Sequence, residues 1–143
     1  MNKNIDKKVV ENFGDEWKKF KQDKQLSEID KKKIFDTYFQ NFPWNDLAKN
    51  SKGFDLGCGS GRWSELVSKK VAELHCIDAS KVALSVAKEN LKNCKNCKLH
   101  LASVDSIPLD DSSMDFGYSL GVLHHTPNPL EGLKSCVRKL KVG

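Results

Sequence analysis

The sequence predicts an α/β fold built on a parallel sheet, and three observations support this prediction. From residue 53 onward, short apolar runs alternate with segments of helical periodicity, the pattern of strand–helix–strand units. The first apolar run ends in a turn with three alternating glycines, Gly57, Gly59 and Gly61. Asp78 closes the second run, 19 residues after Gly59. At that distance a strand–helix–strand unit places a carboxylate against ribose hydroxyls.

The N-terminal part of the sequence predicts helical segments. Residues 1–25 are polar and lysine-rich, and we expect a loosely structured leader with one short helix. Ser27 is the expected N-cap of a helix to about residue 40, and Pro43 ends it before a short helical turn at Trp44. We therefore divide the chain into an N-terminal helical segment, 1–50, and an α/β domain, 51–143.

The α/β domain predicts four strands and three helices. Strands are expected at 53–56, 72–77, 97–102 and 114–122, and helices at 61–70, 80–92 and 129–140. Right-handed crossovers give the predicted sheet order 3-2-1-4. In the last helix, Asn128 is the expected cap and Pro129 the first residue. Four apolar side chains of this helix are expected to face inward: Leu130, Leu133, Val137 and Leu140.

Strand four has one large face and one nearly bare face. Gly117, Ser119 and Gly121 alternate with large apolar residues, so something must pack closely on the small side. Strands one and four flank the reversal in sheet order, where ligands bind outside the carboxyl ends of the strands. A helix that crosses tightly over the small residues explains the pattern equally well.

The composition is that of an ordinary single-domain globular protein, with 143 residues, 38% hydrophobic and 30% charged. No segment approaches the ~20 apolar residues that cross a bilayer, and no signal peptide is present, so we expect a cytoplasmic protein without a membrane partner. The net charge of +5 is spread along the chain, which argues against a nucleic-acid partner. The lysine run 31–33 is interpreted as a solvated helix face, with a phosphate-contacting patch as the alternative.

The spacing of the glycines indicates the kind of ligand. Residue 62 is Arg, so the third glycine falls one place too early for the dinucleotide fingerprint. Asp55, at the mouth of the turn, would repel a phosphate but suit an ammonium or sulfonium cation. The sequence therefore predicts a cationic adenosyl ligand.

Four motifs together resemble the class I S-adenosylmethionine-dependent methyltransferases, in the family's order and at its usual intervals. They are DLGCGSG at 55–61, IDAS at 77–80, VDSIPL at 104–109 and MDFGYSLGVLHH at 114–125. The resemblance covers roughly residues 51–143 and is greatest to the branch that includes the ubiquinone and menaquinone biosynthesis methyltransferases. It implies a Rossmann-like sheet, S-adenosylmethionine as cofactor and a small-molecule acceptor as partner.

The resemblance also implies roles for individual residues. Asp55 and the amides around Gly57, Cys58, Gly59 and Gly61 would hold the methionine end, with the Leu120 main chain beside it. Asp78 would accept hydrogen bonds from the ribose hydroxyls, and Ala79 would face adenine. Asp105 would take the adenine amino group, next to the backbone of Val104 and Ser106. The alternatives are a helix N-terminal acid for Asp78 and a turn-forming acid for Asp105.

Methyl transfer needs few catalytic residues, because the protein mainly positions the nucleophile and excludes water. His124 and His125 follow strand four and are the candidate general bases, although a purely structural role in the loop is the alternative. In the family, an N-terminal helical segment covers the cofactor. Trp17, Tyr38 and Trp44 are therefore candidate lid or cation–π residues, or else anchors of amphipathic helices.

The five cysteines are expected to be reduced thiols. Cys94 and Cys97 form a single C-x-x-C pair, which is interpreted as a turn and not as a zinc site or a redox pair, because the motif follows a helix instead of opening one. No metal is expected.

Strands five to seven of the family do not appear in the sequence. A fragment of a longer enzyme is the preferred explanation; a truncated product and a half-domain completed by a partner chain are the alternatives. A methyltransferase acting on a small molecule is the favoured function. A non-catalytic S-adenosylmethionine-binding or interaction module is the second, and a nicotinamide oxidoreductase the third. The oligomeric state is not predicted.

Overall fold

The computed structural model describes residues 4–20 and 27–143, without the side chains of 17–20. The described residues form nine helices and strands. They are α1 (Lys7–Phe20), α2 (Glu28–Tyr38), β1 (Lys52–Leu56), α3 (Arg62–Ser68), β2 (Glu73–Asp78), α4 (Lys81–Asn90), β3 (Cys97–Leu101), β4 (Phe116–Tyr118) and α5 (Pro129–Val137). Single 3₁₀ turns lie at Trp44–Asp46, Val104–Ser106 and Leu123–His125.

The strands form one parallel sheet in the order β3-β2-β1-β4, which confirms the predicted α/β fold and strand order. Helices cover both faces. On one face, α2, α3 and α4 pack through side chains such as Phe35, Val67 and Ala87. On the other face, Cys136 of α5 packs with Phe54 of β1. The carboxyl ends of β1 and β2 lie between these two layers.

The small side of β4 is filled by an aromatic ring from the neighbouring strand, and not by a helix or a ligand at Gly117. Phe54 lies beside Gly117 in the register of β1 and β4, and a Cβ on Gly117 would overlap the Phe54 ring. The reverse exchange occurs one residue earlier, where the Phe116 ring lies over Gly53. Each strand thus supplies a ring and a glycine to the other.

Helix α1 is longer and better packed than the predicted leader with one short helix. The Asp6 side chain caps it by accepting hydrogen bonds from the Lys8 and Val9 amides, at 2.9 and 3.2 Å. Gly14 faces α4 closely, because a Cβ there would lie 3.0 Å from the Ser80 hydroxyl oxygen. The amphipathic helix therefore lies against the body of the domain.

Helix α5 begins at the predicted residue, but a different face of the helix packs against the domain. The Asn128 Oδ1 atom accepts from the Glu131 amide at 3.1 Å, and Pro129 is the first helical residue. The prediction that Leu130, Leu133 and Val137 face inward is wrong, since these side chains are exposed. Gly132 and Cys136 face the domain, because only small residues allow the close approach; a Cβ on Gly132 would lie 3.0 Å from Leu123.

The region after α5 lies beside the start of β4. Leu140 forms an isolated parallel bridge with Met114, and the Met114 amide donates to the Lys139 carbonyl at 2.9 Å. The strand β4 itself ends at Tyr118 and not at residue 122 as predicted, because Gly121 turns the chain with φ 69° before the 3₁₀ turn. Across residues 4–20 and 27–143, no helix has the length and apolarity to span a membrane.

Candidate functional site

A pocket opens where the strands end, between the sheet and α1. Leu56 ends β1 there and Gly57 follows it, Asp78 ends β2, and Ala102 and Leu120 follow β3 and β4. The pocket contains about 850 Å³ of empty space, including the space at its open mouth.

The glycine turn forms the floor of the pocket. Gly57, Gly59 and Gly61 have φ values of 78°, 54° and 75°, in the left-handed region that favours glycine. The carbonyl of Ile77 holds the turn to β2 by accepting from the Gly57 and Cys58 amides, at 2.7 and 3.0 Å. A Cβ on Gly57 would overlap Val122. Glycine is therefore required by both the backbone and its neighbour.

Asp78 presents its carboxylate to the pocket and is fixed by two backbone amides. Its Oδ2 accepts from the Gly59 amide at 2.9 Å, and its Oδ1 accepts from the Ser80 amide at 2.8 Å. Burial raises the pKa of Asp78, while these backbone hydrogen bonds oppose the rise. Because a carboxylate oxygen has two lone pairs, each oxygen can accept one more hydrogen bond. The geometry suits two adjacent hydroxyl donors.

Asp55 lies under the glycine turn and is almost completely buried. Its Oδ2 accepts from the Ser64 hydroxyl at 2.7 Å and from the Tyr118 hydroxyl at 2.9 Å. Burial raises the pKa of Asp55 to about 6, and the two hydroxyl hydrogen bonds oppose the rise. The carboxyl group therefore ties β1 to α3 and β4.

Helix α1 and the residues before it cover the pocket. Asn4 forms two hydrogen bonds with the backbone of Asn128: its Nδ2 donates to the carbonyl at 2.7 Å, and its Oδ1 accepts from the amide at 2.6 Å. The Phe13 ring meets the His125 ring edge-on at 5.0 Å, and Ile5 and Val9 also line the pocket. The N-terminal segment thus closes one wall with apolar side chains.

The structure brings about half of the predicted site residues to the pocket wall. These are Gly57, Gly59, Asp78, Ala79, Val104, Leu120 and His125. The lining does not include Asp55, Cys58, Gly61, Asp105, Ser106 and His124.

The residues outside the lining have identifiable positions. In the 3₁₀ turn Val104–Ser106, Val104 is buried, so Asp105 and Ser106 are turned to solvent. His124 is exposed, and its ring is tilted by 43° against the His125 ring, with 3.9 Å between the ring centroids. Cys58 is buried in the core on the far side of the turn.

The sequence analysis missed the pocket residues of the N-terminal segment. Ile5, Val9 and Phe13 recur every four residues, a helical stripe that was present in the sequence. Tyr38 packs against Trp63, and Trp44 packs in the core with Lys70 over its ring at 5.4 Å, so both anchor helices. The side chain of Trp17 lies outside the described residues.

Comparison with known proteins places the chain in a family. A methyltransferase domain family matches residues 54–143. Demethylmenaquinone methyltransferase of Staphylococcus aureus is 35% identical over 101 residues, which are 68% of this chain and 42% of the relative. The chain thus spans less than half the length of this relative.

Two solved structures share the fold. Phosphoethanolamine N-methyltransferase 1 of Haemonchus contortus, in complex with S-adenosylhomocysteine, has a TM-score of 0.72 at 16% identity, over 99% of this chain and 32% of that one. A SAM-dependent methyltransferase of Aquifex aeolicus has a TM-score of 0.60 at 22% identity, over 82% and 69%. The matched domain and the S. aureus relative show that the chain belongs to the S-adenosylmethionine-dependent methyltransferase family.

Proposed function

We propose that this domain binds S-adenosylmethionine in the pocket and transfers its methyl group to a small-molecule acceptor. The observation that carries the proposal is the Asp78 carboxylate, which faces the pocket with both oxygens fixed by backbone amides. A fixed pair of acceptors recognises two vicinal hydroxyls, as on a ribose, without a cost for ordering the side chain.

The residues around Asp78 fit the rest of the cofactor. The bare backbone of Gly57 and Gly59 leaves room for a ligand to approach the main chain. Ala79 and Val104 offer apolar surface on which an adenine ring packs. The buried Asp55 carboxyl beneath the turn adds negative potential that favours a cationic ligand.

The cofactor supplies a methyl carbon that its sulfonium already activates. The protein must hold the acceptor in line with that carbon and exclude water. The apolar side chains of Ile5, Val9 and Phe13 exclude water from this side of the pocket. His125 is the pocket residue suited to remove a proton from an acceptor, since a neutral imidazole accepts protons near pH 7.

The same wall supports a largely apolar acceptor. Phe13 offers an aromatic face next to His125, so an acceptor with a ring and an ionisable group would match both side chains. The S. aureus relative is named for demethylmenaquinone, which agrees with this chemistry.

Thermal unfolding with and without S-adenosylhomocysteine tests the cofactor site. A ligand at ~100 times its Kd adds roughly 2.7 kcal/mol of stability, so the midpoint should rise. The rise should disappear in Asp78→Ala and persist in Asp115→Ala, a matched loss of a carboxylate before β4. NAD should give no rise. If the folded chain ignores S-adenosylhomocysteine, the proposal is wrong.

Transfer is tested separately by following the methyl group of labelled S-adenosylmethionine into quinol-type and other aromatic acceptors. His125→Gln should lower the rate while it leaves the S-adenosylhomocysteine affinity unchanged, because His125 acts on the acceptor. His124→Gln is the matched control. Binding without transfer to any acceptor would support a non-catalytic binding module instead.

A further inference from the structure

Three thiols meet at the junction of α4 and β3, away from the pocket. Cys94 lies in the turn after α4, Cys97 is the first residue of β3, and Cys76 lies on the adjacent strand β2. Cys94 and Cys97 are half-buried and so remain accessible, whereas Cys76 is fully buried. All five cysteines of the chain are free thiols.

The backbone brings Cys94 and Cys97 into range of each other. The Cys97 amide donates to the Cys94 carbonyl at 3.0 Å, which closes a four-residue turn. Such a turn holds its first and last Cα atoms within about 7 Å, and a disulfide needs roughly 4.4–6.8 Å. The Asn96 side chain pins the turn by donating to the carbonyls of Ser68 and Val71, at 2.8 and 3.0 Å.

The surroundings of Cys97 favour its thiolate. The neighbouring Cys76 thiol lowers the pKa of Cys97, and burial opposes this effect. In the structure, the Cys76 thiol and the Ser68 hydroxyl donate to the carbonyls of Leu74 and Glu65. Burial raises the pKa of Cys136, which lies on the other face of the sheet. Because the thiolate is the reactive form, Cys97 should react before Cys136.

A metal site explains the cluster less well. No set of three His, Cys, Asp or Glu side chains is arranged to hold a metal ion in the part of the chain that the structure describes. The thiols therefore point to redox chemistry and not to coordination.

We propose that Cys94 and Cys97 form a peroxide-sensitive thiol pair that closes to a disulfide. The Cys97 thiolate attacks the O–O bond of a hydroperoxide and becomes a sulfenic acid, and the peroxide is reduced to an alcohol or water. The Cys94 sulfur then attacks the Cys97 sulfur, the S–S bond forms, and the sulfenic hydroxyl leaves with the Cys94 proton as water. Two thiols lose two electrons and one peroxide gains them.

The pair is independent of the proposed methyl transfer. It lies at the start of β3, whereas Ala102, after the end of β3, lines the pocket. A failure of cofactor binding therefore leaves the thiol proposal untouched, and the reverse also holds.

The test treats the reduced chain with a small excess of hydrogen peroxide, blocks the remaining thiols with an alkylating agent and maps the peptides by mass spectrometry. We expect a Cys94–Cys97 disulfide that a dithiol reductant reverses. In Cys94→Ser, Cys97 should accumulate as a sulfenic acid that dimedone traps. Cys97→Ser should prevent the disulfide, and Cys136→Ser, the matched control, should leave it unchanged.

The alkylation rate of the untreated wild-type chain needs no variant and guards against a variant that does not fold. Cys97 should react about tenfold faster than Cys136 in the folded chain. Equal rates would overturn the proposal. So would a disulfide between Cys97 and Cys76, or a Cys97 that peroxide leaves as a free thiol.

Discussion

Gly57 and Gly121 share a backbone conformation but differ in their surroundings. Both have positive φ, at 78° and 69°, yet a Cβ on Gly57 would overlap Val122 while none of the described atoms lies within 4 Å of a Cβ on Gly121. Gly121→Ala should therefore lower the free energy of unfolding only by the backbone strain, about 1–2 kcal/mol. Gly57→Ala should cost about 1–3 kcal/mol more, because Val122 must move.

Denaturant unfolding of the two variants measures this difference. If the two changes cost the same, the contact between residue 57 and Val122 contributes nothing to the requirement for glycine.

Asp55 makes the stability of the chain depend on pH. Burial raises its pKa from 3.8 to about 6, so the folded chain binds more protons than the unfolded chain between these values. Its contribution is present at acidic pH and is lost as the pH rises through 6. At about 1.4 kcal/mol per pH unit, the loss is on the order of 3 kcal/mol. Because Asn cannot ionise, the free energy of unfolding of Asp55→Asn should rise by this amount relative to that of the wild type between about pH 4 and pH 8.

Urea unfolding at several pH values gives the stability difference between variant and wild type. The control is Asp115→Asn, because hydrogen bonding to Lys141 lowers the pKa of Asp115. The stability difference for Asp115→Asn should stay constant from pH 4 to pH 8 and change only below the ordinary pKa of 3.8, where the wild type loses stability as the pH falls. A difference for Asp55→Asn that does not vary with pH would mean that Asp55 is ionised throughout the range.

At the scale of elements, α1 should respond to ligand. It lines the pocket through Val9, Val10 and Phe13, so a bound molecule adds contacts that hold it closed. Hydrogen exchange of the backbone amides of 7–13 should slow when S-adenosylhomocysteine saturates the chain. The amides of α5, which is not part of the pocket lining, are the internal control. Equal protection of both helices would indicate general stabilisation and not closure of a lid.

The elements differ in how far the sequence predicts them. The start of α2 follows from the capping chemistry of Ser27, whose hydroxyl accepts from the Asp30 amide at 3.1 Å. The inward face of α5 does not follow, because Leu130 and Leu133 form an apolar stripe at helical spacing whichever way the helix is turned. The close approach through Gly132 decides the orientation, and it depends on tertiary packing with Leu123.

The candidate site divides in the same way. Asp78 and the glycine turn belong to one strand–helix–strand unit, so spacing alone brings them together. The cover on the pocket depends on Asn4 and Asn128, which are 124 residues apart in the chain. No local pattern links them, so the lining by Ile5 and Phe13 had to be seen in the structure.

At the scale of the whole molecule, an exposed apolar helix face and a partly open strand edge both favour association. Leu130, Leu133 and Val137 are exposed by 61%, 50% and 55% on α5. Among the described residues, the side of β4 away from β1 is bridged only at Met114, by Leu140. Exposed apolar patches and strand edges promote association. The purified chain should therefore self-associate as its concentration rises.

Sedimentation velocity over a range of concentrations checks this expectation. Leu133→Glu should reduce the association, because it charges the centre of the patch. Ile29→Glu should not, although Ile29 is exposed by 69%, because it lies in α2 on the opposite side of the sheet from α5. A wild-type chain that stays monomeric at every concentration would contradict the prediction.

The ring-for-glycine exchange between β1 and β4 has a consequence for the pocket. It specifies the register of the two strands, because a shift of one residue would leave the Phe54 and Phe116 rings without the glycines that they cover. This pairing fixes the register of β4 against β1 and therefore the position of Leu120 relative to Gly57 at the edge of the pocket. Gly117→Ala should therefore shift β4 and displace Leu120 in the pocket, although Gly117 is not one of the residues that line the pocket.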